Sequence, residues 1–236
     1  MIIFPAIDII DGKAVRLYRG DYDKKTEYGE PICVAQDFLS FGATHIHIVD
    51  LDGAKTGETP NFDLICEIKS KTGLFIEVGG GIRDEKTVDK YLSAGIDRVI
   101  LGTAAVKNPD FAKKTVRKYG DKIAVGIDVK DGFVAIKGWT EKSDKKLFDF
   151  CEEMINIGVK TVICTDISKD GALNGTNIEM YKELAQRFPI NFIASGGVSA
   201  LSDVKALNDL GLYGAIIGKA YYTGDIDLKK AIEITK

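Results

Sequence analysis

The stretch AIDIIDG at residues 6–12 recurs as GIDVKDG at residues 126–132, displaced by 120 positions. Three further landmarks recur in the same order, each 116 positions later: VD at 49–50 as TD at 165–166, GG at 80–81 as GG at 196–197, and Gly102 as Gly218. This nearly constant spacing predicts an internal duplication, with one half over about residues 1–120 and the other over 121–236. Because half a barrel leaves its sheet edges unpaired, we expect the two halves to close on each other.

Short β-branched runs alternate with longer amphipathic segments along the whole chain of 236 residues. Eight strand–helix units in succession, without a flexible linker, predict one domain that is a (β/α)8 barrel, or TIM barrel, made of two (β/α)4 half-barrels. The predicted strands lie near residues 2–8, 45–50, 74–78, 98–101, 122–128, 161–164, 191–194 and 213–217, and the predicted helices near 31–42, 61–71, 84–94, 108–119, 144–157, 177–188, 199–209 and 225–235.

Composition narrows the class of protein. The net charge of −3, from 32 basic and 35 acidic residues, gives no support for binding to nucleic acid. We see neither a signal peptide nor an apolar run of roughly 20 residues, so we expect no membrane contact and a cytoplasmic location. The four cysteines lie far apart, which favours reduced thiols over a metal or redox site. Since a closed barrel offers no sheet edge to a partner, we expect a monomer.

Carboxylates stand at the ends of several predicted strands, where barrels of this kind carry their reacting groups. Asp8 ends the first strand and Asp128 the fifth, and these strands lie opposite each other in a ring of eight. Two opposed carboxyl groups suit general acid–base catalysis, although a single aspartate at a strand end often only caps the next turn. Asp50 and Asp166 end the second and sixth strands, and for them a structural role weighs equally.

The loop after the sixth strand holds a further candidate acid. Asp170 precedes a glycine in the segment CTDISKDG at residues 164–171. It is either an ordinary turn residue or a carboxylate that reaches the mouth of the barrel.

Glycines that follow four of the strands predict two phosphate sites. Glycine lets backbone N–H groups approach an anion closely, and a following helix N-terminus favours negative charge. One glycine pair alone is more often a turn, but a duplicated set predicts a ligand with a phosphate at each end. The first predicted site comprises Gly80, Gly81, Gly102 and Thr103, and the second comprises Gly196, Gly197, Gly218 and Lys219.

Other residues have less specific signals. Trp139, the only tryptophan, lies in the long loop predicted after the fifth strand, and it either packs on the rim or stacks on a planar ring of the ligand. Arg16 and Arg19, in the loop predicted after the first strand, either reach a phosphate or ring edge or are solvated. His45 and His47 share one face of the second strand, and packing or hydrogen bonding is a better interpretation than metal binding because no third ligand lies nearby in the sequence.

Several motifs together resemble the phosphoribosylformimino-5-aminoimidazole carboxamide ribotide isomerases of histidine biosynthesis. They are PAID at 5–8, HIVDL at 47–51, GGGIR at 79–83, GW at 138–139 and CTDISKDG at 164–171. The likeness covers essentially the whole chain, including the duplication.

This resemblance implies an Amadori rearrangement that turns an aminoaldose phosphate into an aminoketose phosphate. The implied substrate is a small ribotide with a phosphate at each end. By analogy Asp8 is the base that takes the proton from C2 of the sugar, and either Asp128 or Asp170 is the acid that protonates the furanose oxygen. Thr165 would assist by hydrogen bonding, and Trp139 would stack on the aminoimidazole. No cofactor or metal is implied.

Three rival functions stay open at the level of sequence. The cyclase subunit of imidazole glycerol phosphate synthase shares the fold and the opposed aspartates, but it usually begins with a Cys-Leu-Asp strand where this chain has Ala6-Ile7-Asp8. A bifunctional isomerase would also act on phosphoribosylanthranilate. A non-catalytic barrel would bind a bisphosphate without turning it over.

Overall fold

The structure is a computed structural model that describes residues 1–18, 20–173 and 175–236. Strands and helices alternate along these ranges. The strands are β1 (Ile2–Ile10), β2 (Lys13–Tyr18), β3 (Asp21–Gly29), β4 (His45–Asp50), β5 (Phe75–Gly79), β6 (Arg98–Leu101), β7 (Ile123–Lys130), β8 (Phe133–Ile136), β9 (Glu141–Lys146), β10 (Thr161–Asp166), β11 (Asn191–Ser195) and β12 (Gly214–Ile217).

The helices follow the strands on the outside of the sheet. They are α1 (Pro31–Ser40), α2 (Leu51–Thr56), α3 (Phe62–Thr72), α4 (Glu85–Ser93), α5 (Thr103–Lys107), α6 (Pro109–Tyr119), α7 (Leu147–Asn156), α8 (Ile178–Arg187), α9 (Leu201–Asp209), α10 (Lys219–Tyr222) and α11 (Leu228–Glu233), with a 3-10 turn at Gly120–Lys122. Within the three described ranges, no helix is long and apolar enough to cross a membrane.

Eight of the strands form a closed parallel barrel, as predicted. The order around the ring is β1-β4-β5-β6-β7-β10-β11-β12, and a parallel pairing of β12 with β1 closes it. Every barrel strand therefore has a neighbour on both sides, which satisfies its backbone hydrogen-bonding groups. The ring order also places β1 and β7 four strands apart, on opposite sides of the barrel.

The core has two layers, which follow from the alternation of side chains along each strand. A large cluster fills the space between the strands and the outer helices. A smaller cluster fills the barrel interior and consists of Phe4, Ala6, Ile100, Ala124, Ile163, Ile193 and Ile216. Because positions two apart share a face, Asp8 continues the inward row of Phe4 and Ala6, and Asp128 continues that of Ala124. Both carboxyl groups thus reach the interior at the carboxyl ends of their strands.

The structure corrects the two long loops that were predicted after the first and fifth strands. The chain instead forms antiparallel hairpins there, β1-β2-β3 and β7-β8-β9. Asp11 and Gly12 have φ of 52° and 72°, and Asp131 and Gly132 have φ of 53° and 78°. Positive φ at both central residues is the type I′ geometry that fits the twist of a two-residue hairpin. Arg16 therefore lies on a strand and not in a loop.

Three short helices were also missed. α2, α5 and α10 contain four to six residues each and follow directly on β4, β6 and β12. Such segments are too short to show a helical hydrophobic period. The helix predicted from residue 144 begins only at Leu147, because residues 141–146 form β9.

Candidate active site

The Asp8 carboxylate lies in an ion pair at one side of the barrel mouth. Arg16 Nη1 lies 2.9 Å from Asp8 Oδ2, and the side chains are 14% and 16% exposed. The hairpin β1-β2 builds this contact because Asp8 pairs with Val15, and Arg16 is the next residue. A charge-assisted hydrogen bond of this kind fixes the orientation of the carboxylate at the mouth.

Asp128 lies in different surroundings on the opposite side. Burial raises the pKa of its carboxyl group, although side-chain hydrogen bonds from Trp139 and Thr165 and the nearby His47 oppose the rise. Asp128 pairs with Ala135 of β8, and the next residue is Ile136, which is 5% exposed. An apolar side chain thus stands where the first hairpin has Arg16.

Asp170 shares the electrostatics of the same mouth. Burial raises its pKa, and the neighbouring charges of Asp8 and Asp128 raise it further, while Arg16 and Lys219 oppose the rise. Two of the three carboxyl groups therefore favour the protonated form more than a free aspartate does.

Trp139 lies in the turn between β8 and β9, where Lys137, Gly138 and Trp139 all have positive φ. A β-carbon on Gly20 would lie 2.8 Å from Cε3 of the indole, so the tryptophan packs on the backbone at Gly20. With its indole N–H on Asp128, Trp139 links the two hairpins across the mouth. Positive φ is rare for a bulky residue, so tertiary contacts hold this turn. Arg19 lies outside the described residues.

Backbone packing explains the four glycines that follow β5 and β11. All have positive φ, between 75° and 107°. A β-carbon on Gly80 would lie 2.1 Å from the carbonyl oxygen of Asp50, and one on Gly81 would lie 2.2 Å from that of Gly53. Gly196 and Gly197 repeat this arrangement against the carbonyls of Asp166 and Gly175, at 2.7 and 2.4 Å. The fold itself therefore requires glycine at these positions.

The glycines after β6 and β12 differ between the halves. Gly102 and Gly218 precede α5 and α10 with similar backbone angles. Among the described residues, none lies within 4 Å of a β-carbon placed on Gly102, whereas one placed on Gly218 would lie 2.1 Å from Arg16 Nη2. Of the neighbouring polar residues, Thr103 Oγ1 accepts a hydrogen bond from the Lys137 N–H at 3.0 Å, and Lys219 Nζ donates to the Gly171 carbonyl at 2.8 Å.

Asp50 and Asp166 have structural partners. Fully buried Asp50 accepts hydrogen bonds from the N–H of Gly53 and from the side-chain amide of Asn61, both at 2.8 Å. Asp166 accepts from the Ser168 N–H at 2.9 Å and from the Asn177 amide at 2.6 Å. Each carboxylate ties the end of its strand to the segment that precedes the next long helix. Of the two roles weighed for them, these contacts favour the structural one.

The interior also holds a buried network of polar side chains that sequence reasoning missed. His47 Nδ1 lies 2.8 Å from Glu77 Oε1, and Glu77 Oε2 lies 3.2 Å from Arg98 Nη1. His45 instead packs on Phe4 and Phe75, with ring centroids 5.1 and 4.6 Å apart. The only sequence signal for this polar network was a charged residue in each of the short apolar strands β5 and β6.

A family model described as histidine biosynthesis protein matches residues 2–227 of this chain. The chain belongs to this family. Three relatives agree with that assignment over at least 95% of their lengths. A protein of Brachyspira hyodysenteriae (strain ATCC 49526 / WA1) is 50% identical over 100% of both chains. One of Lactococcus lactis subsp. cremoris (strain SK11) is 52% identical over 98% of this chain and 95% of the relative. One of Acetivibrio thermocellus is 46% identical over 100% of both.

These three members of the histidine biosynthesis protein family have the same name, 1-(5-phosphoribosyl)-5-((5-phosphoribosylamino)methylideneamino) imidazole-4-carboxamide isomerase. The name describes a substrate with two phosphoribosyl groups, and it describes those relatives. The resemblance that the motifs predicted is confirmed at the level of the family.

Proposed function

We propose that this chain is an aldose–ketose isomerase of histidine biosynthesis that converts the relatives' aminoaldose ribotide into the aminoketose. The observation that carries the proposal is the contrast across the mouth. Asp8 is paired with a cation, whereas burial raises the pKa of Asp128 and Asp170. A charged carboxylate that can take the C2 proton, in one mouth with carboxyl groups biased toward the protonated form, is what this rearrangement needs.

The steps follow from these roles. Asp128 or Asp170 gives its proton to the furanose oxygen, the C1–O bond breaks, and a C1=N iminium forms. Asp8 then takes the proton from C2, which leaves an enolamine. When C1 gains a proton and the C2 hydroxyl loses one, the ketone forms. Hydrogen moves only as protons and no electrons leave the molecule, so the chemistry requires no redox cofactor.

The glycine loops hold the two terminal phosphates. One cradle comprises Gly80, Gly81, Gly102 and Thr103, and the other comprises Gly196, Gly197, Gly218 and Lys219. Support comes from the matched backbone geometry of the two sets and from the cations beside the second one. Two phosphates at fixed ends would align the sugar between the carboxylates, which converts binding energy into orientation.

Trp139 and Thr165 complete the site around Asp128. Both donate hydrogen bonds to its carboxylate, and Thr165 pairs with Asp128 across β7 and β10. When substrate binds, the indole stacks on the aminoimidazole and Thr165 keeps the carboxyl group oriented.

The whole barrel is one domain of two duplicated halves, residues 1–120 and 121–236. Support comes from features that recur at matched positions: the type I′ hairpins, the Asp50–Asn61 and Asp166–Asn177 contacts, and the paired glycines. Contacts of this kind depend on backbone position and not on substrate chemistry, so they would persist after a duplication.

The enzyme acts as a cytoplasmic monomer without nucleic acid. Closure of the barrel supports this state, although β3 and β9 pair only on one side. Their sequences, DYDKKTEYG and EKSDKK, are rich in charge, a common protection of edge strands against pairing. Light scattering during size-exclusion chromatography would test it, and a dimer mass would contradict it.

The decisive experiment measures turnover of the aminoaldose ribotide by the purified chain. We expect ketose formation by the wild type and a loss of about 10³- to 10⁴-fold in kcat for Asp8→Asn, because the amide cannot accept the C2 proton. Incubation with phosphoribosylanthranilate tests the bifunctional alternative. Binding without turnover in the wild type, or full activity of Asp8→Asn, would overturn the proposal.

A further inference from the structure

Arg16 occupies a place that the proposed chemistry leaves unexplained. Its guanidinium pairs with Asp8 at 2.9 Å, and Asp170, Tyr28 and Tyr222 also face it. Arg16 is thus a largely buried cation that holds the proposed base. The guanidinium occupies the carboxylate oxygen Oδ2 of Asp8, so the pair must loosen before that oxygen can accept a proton from the substrate.

The same guanidinium lies against the second glycine cradle. The space where a side chain at position 218 would begin contains Arg16 Nη2, 2.1 Å from an ideal β-carbon. Arg16 therefore contacts the backbone that is proposed to hold a phosphate. Its planar fork of N–H donors matches a phosphate as well as it matches a carboxylate.

The first cradle has no such cation at the equivalent position. Ile136 occupies the site that matches Arg16, and no residue in the described ranges lies within 4 Å of a β-carbon placed on Gly102. The connection between cradle and carboxylate is therefore specific to one half of the barrel. It is not a general product of the duplicated fold.

We propose that Arg16 couples phosphate binding to proton abstraction: a phosphate at Gly218 competes with Asp8 for the guanidinium and so releases the base only when substrate is in place. Arg16 is then a positioning residue that acts through Asp8. This inference rests on the proposed function for the identity of the base and of the cradle.

The competition predicts a measurable coupling between Asp8 and phosphate. Inorganic phosphate is titrated into the protein, and the backbone amide resonances of Gly218 and Gly102 are followed by NMR. Asp8→Asn removes the competitor for Arg16, so we expect phosphate to bind about fivefold more tightly at Gly218. In the Arg16→Gln background the same substitution should have no such effect, since there is no guanidinium to share.

Two controls separate coupling from a general change of charge. Asp128→Asn removes a carboxylate from the same mouth but not a partner of Arg16, so it should change the Gly218 affinity by less than about twofold. The Gly102 amide should titrate alike in the wild type and in Asp8→Asn.

Equal tightening with and without Arg16 would overturn the coupling, as would equal effects of Asp8→Asn and Asp128→Asn. An amide of Gly218 that does not respond to phosphate in any variant would overturn it too. Because the titration involves no turnover, these results are independent of the test of the isomerase activity.

Discussion

The two halves of the barrel place an aspartate at the same point and surround it differently. In the first half Asp8 pairs with Arg16, and in the second Asp128 has Ile136 at the matching position. The backbone register is the same in both, since Asp8 pairs with Val15 and Asp128 with Ala135. At one matched position on the neighbouring strand, the first half thus has a cation and the second half an apolar side chain. A duplicated fold can acquire a base and an acid in this way without changing its backbone.

The largest expected effect concerns the acid. We compare kcat for Asp128→Asn and Asp170→Asn, and we expect the residue that donates the proton to lose about 10²- to 10⁴-fold and the other much less. The donor must be protonated, so wild-type activity should fall as pH rises through its raised pKa. That dependence should disappear in the variant that lacks the donor.

Full activity of both variants would mean that neither buried carboxyl group supplies the proton. The proposed contrast between the two halves would then be wrong. A large loss in both would indicate that the two groups act as a coupled pair.

A smaller effect should show whether the aspartate–asparagine contact, which recurs in both halves, stabilises them equally. Asp50→Ala removes the acceptor of the Gly53 N–H and one acceptor of the Asn61 amide, which also donates to Asp52 at 2.9 Å. Asp166→Ala removes an acceptor of the Ser168 N–H and of the Asn177 amide. We expect each to lower the free energy of unfolding by about 2 to 3 kcal/mol, measured by urea denaturation. Losses that agree within about 1 kcal/mol would show that the duplicated contact kept its energetics. A negligible loss at either site would exclude a structural role there.

The smallest expected effect is a gain in stability. Burial raises the pKa of Asp128, so the folded state disfavours its charge at neutral pH. Asp128→Asn should stabilise the protein by about 1 kcal/mol at pH 7, and the gain should shrink as pH falls through the raised pKa, because the wild type then takes up a proton. Thermal unfolding across this pH range measures it.

Asp8→Asn provides the matched control, since it removes an ion pair and should not stabilise. A similar gain in both variants would mean that the two carboxylates have equivalent surroundings.

Much of the fold could be predicted from local sequence patterns, and the incorrect predictions have physical causes. The barrel strands were predicted close to their observed positions because buried parallel strands are nearly continuous apolar runs. The hairpins were missed although the dipeptides Asp11–Gly12 and Asp131–Gly132 are strong turn signals. Their outer strands β3 and β9 are charged and exposed, so they lack the apolar alternation that identifies a strand.

The candidate site was predicted in part. Their places at the ends of the first and fifth strands were enough to predict that Asp8 and Asp128 lie at the barrel mouth, and the ring of eight strands was enough to predict that they lie opposite each other. The contact between Arg16 and Asp8 depends on the antiparallel strand β2, where the sequence pattern predicted a loop. The polar network of His47, Glu77 and Arg98 joins three different strands, and no sequence spacing brings these residues together.

By itself the sequence determined the duplication, the eight barrel strands and the aspartates at their ends. The period of apolar residues and the spacing of repeated motifs belong to the sequence, and regular backbone geometry turns both directly into positions in the fold. Only the tertiary structure decided which aspartate meets a cation and which is desolvated. The charge of a carboxyl group depends on everything within a few ångströms of it, and those neighbours come from strands far apart in the sequence.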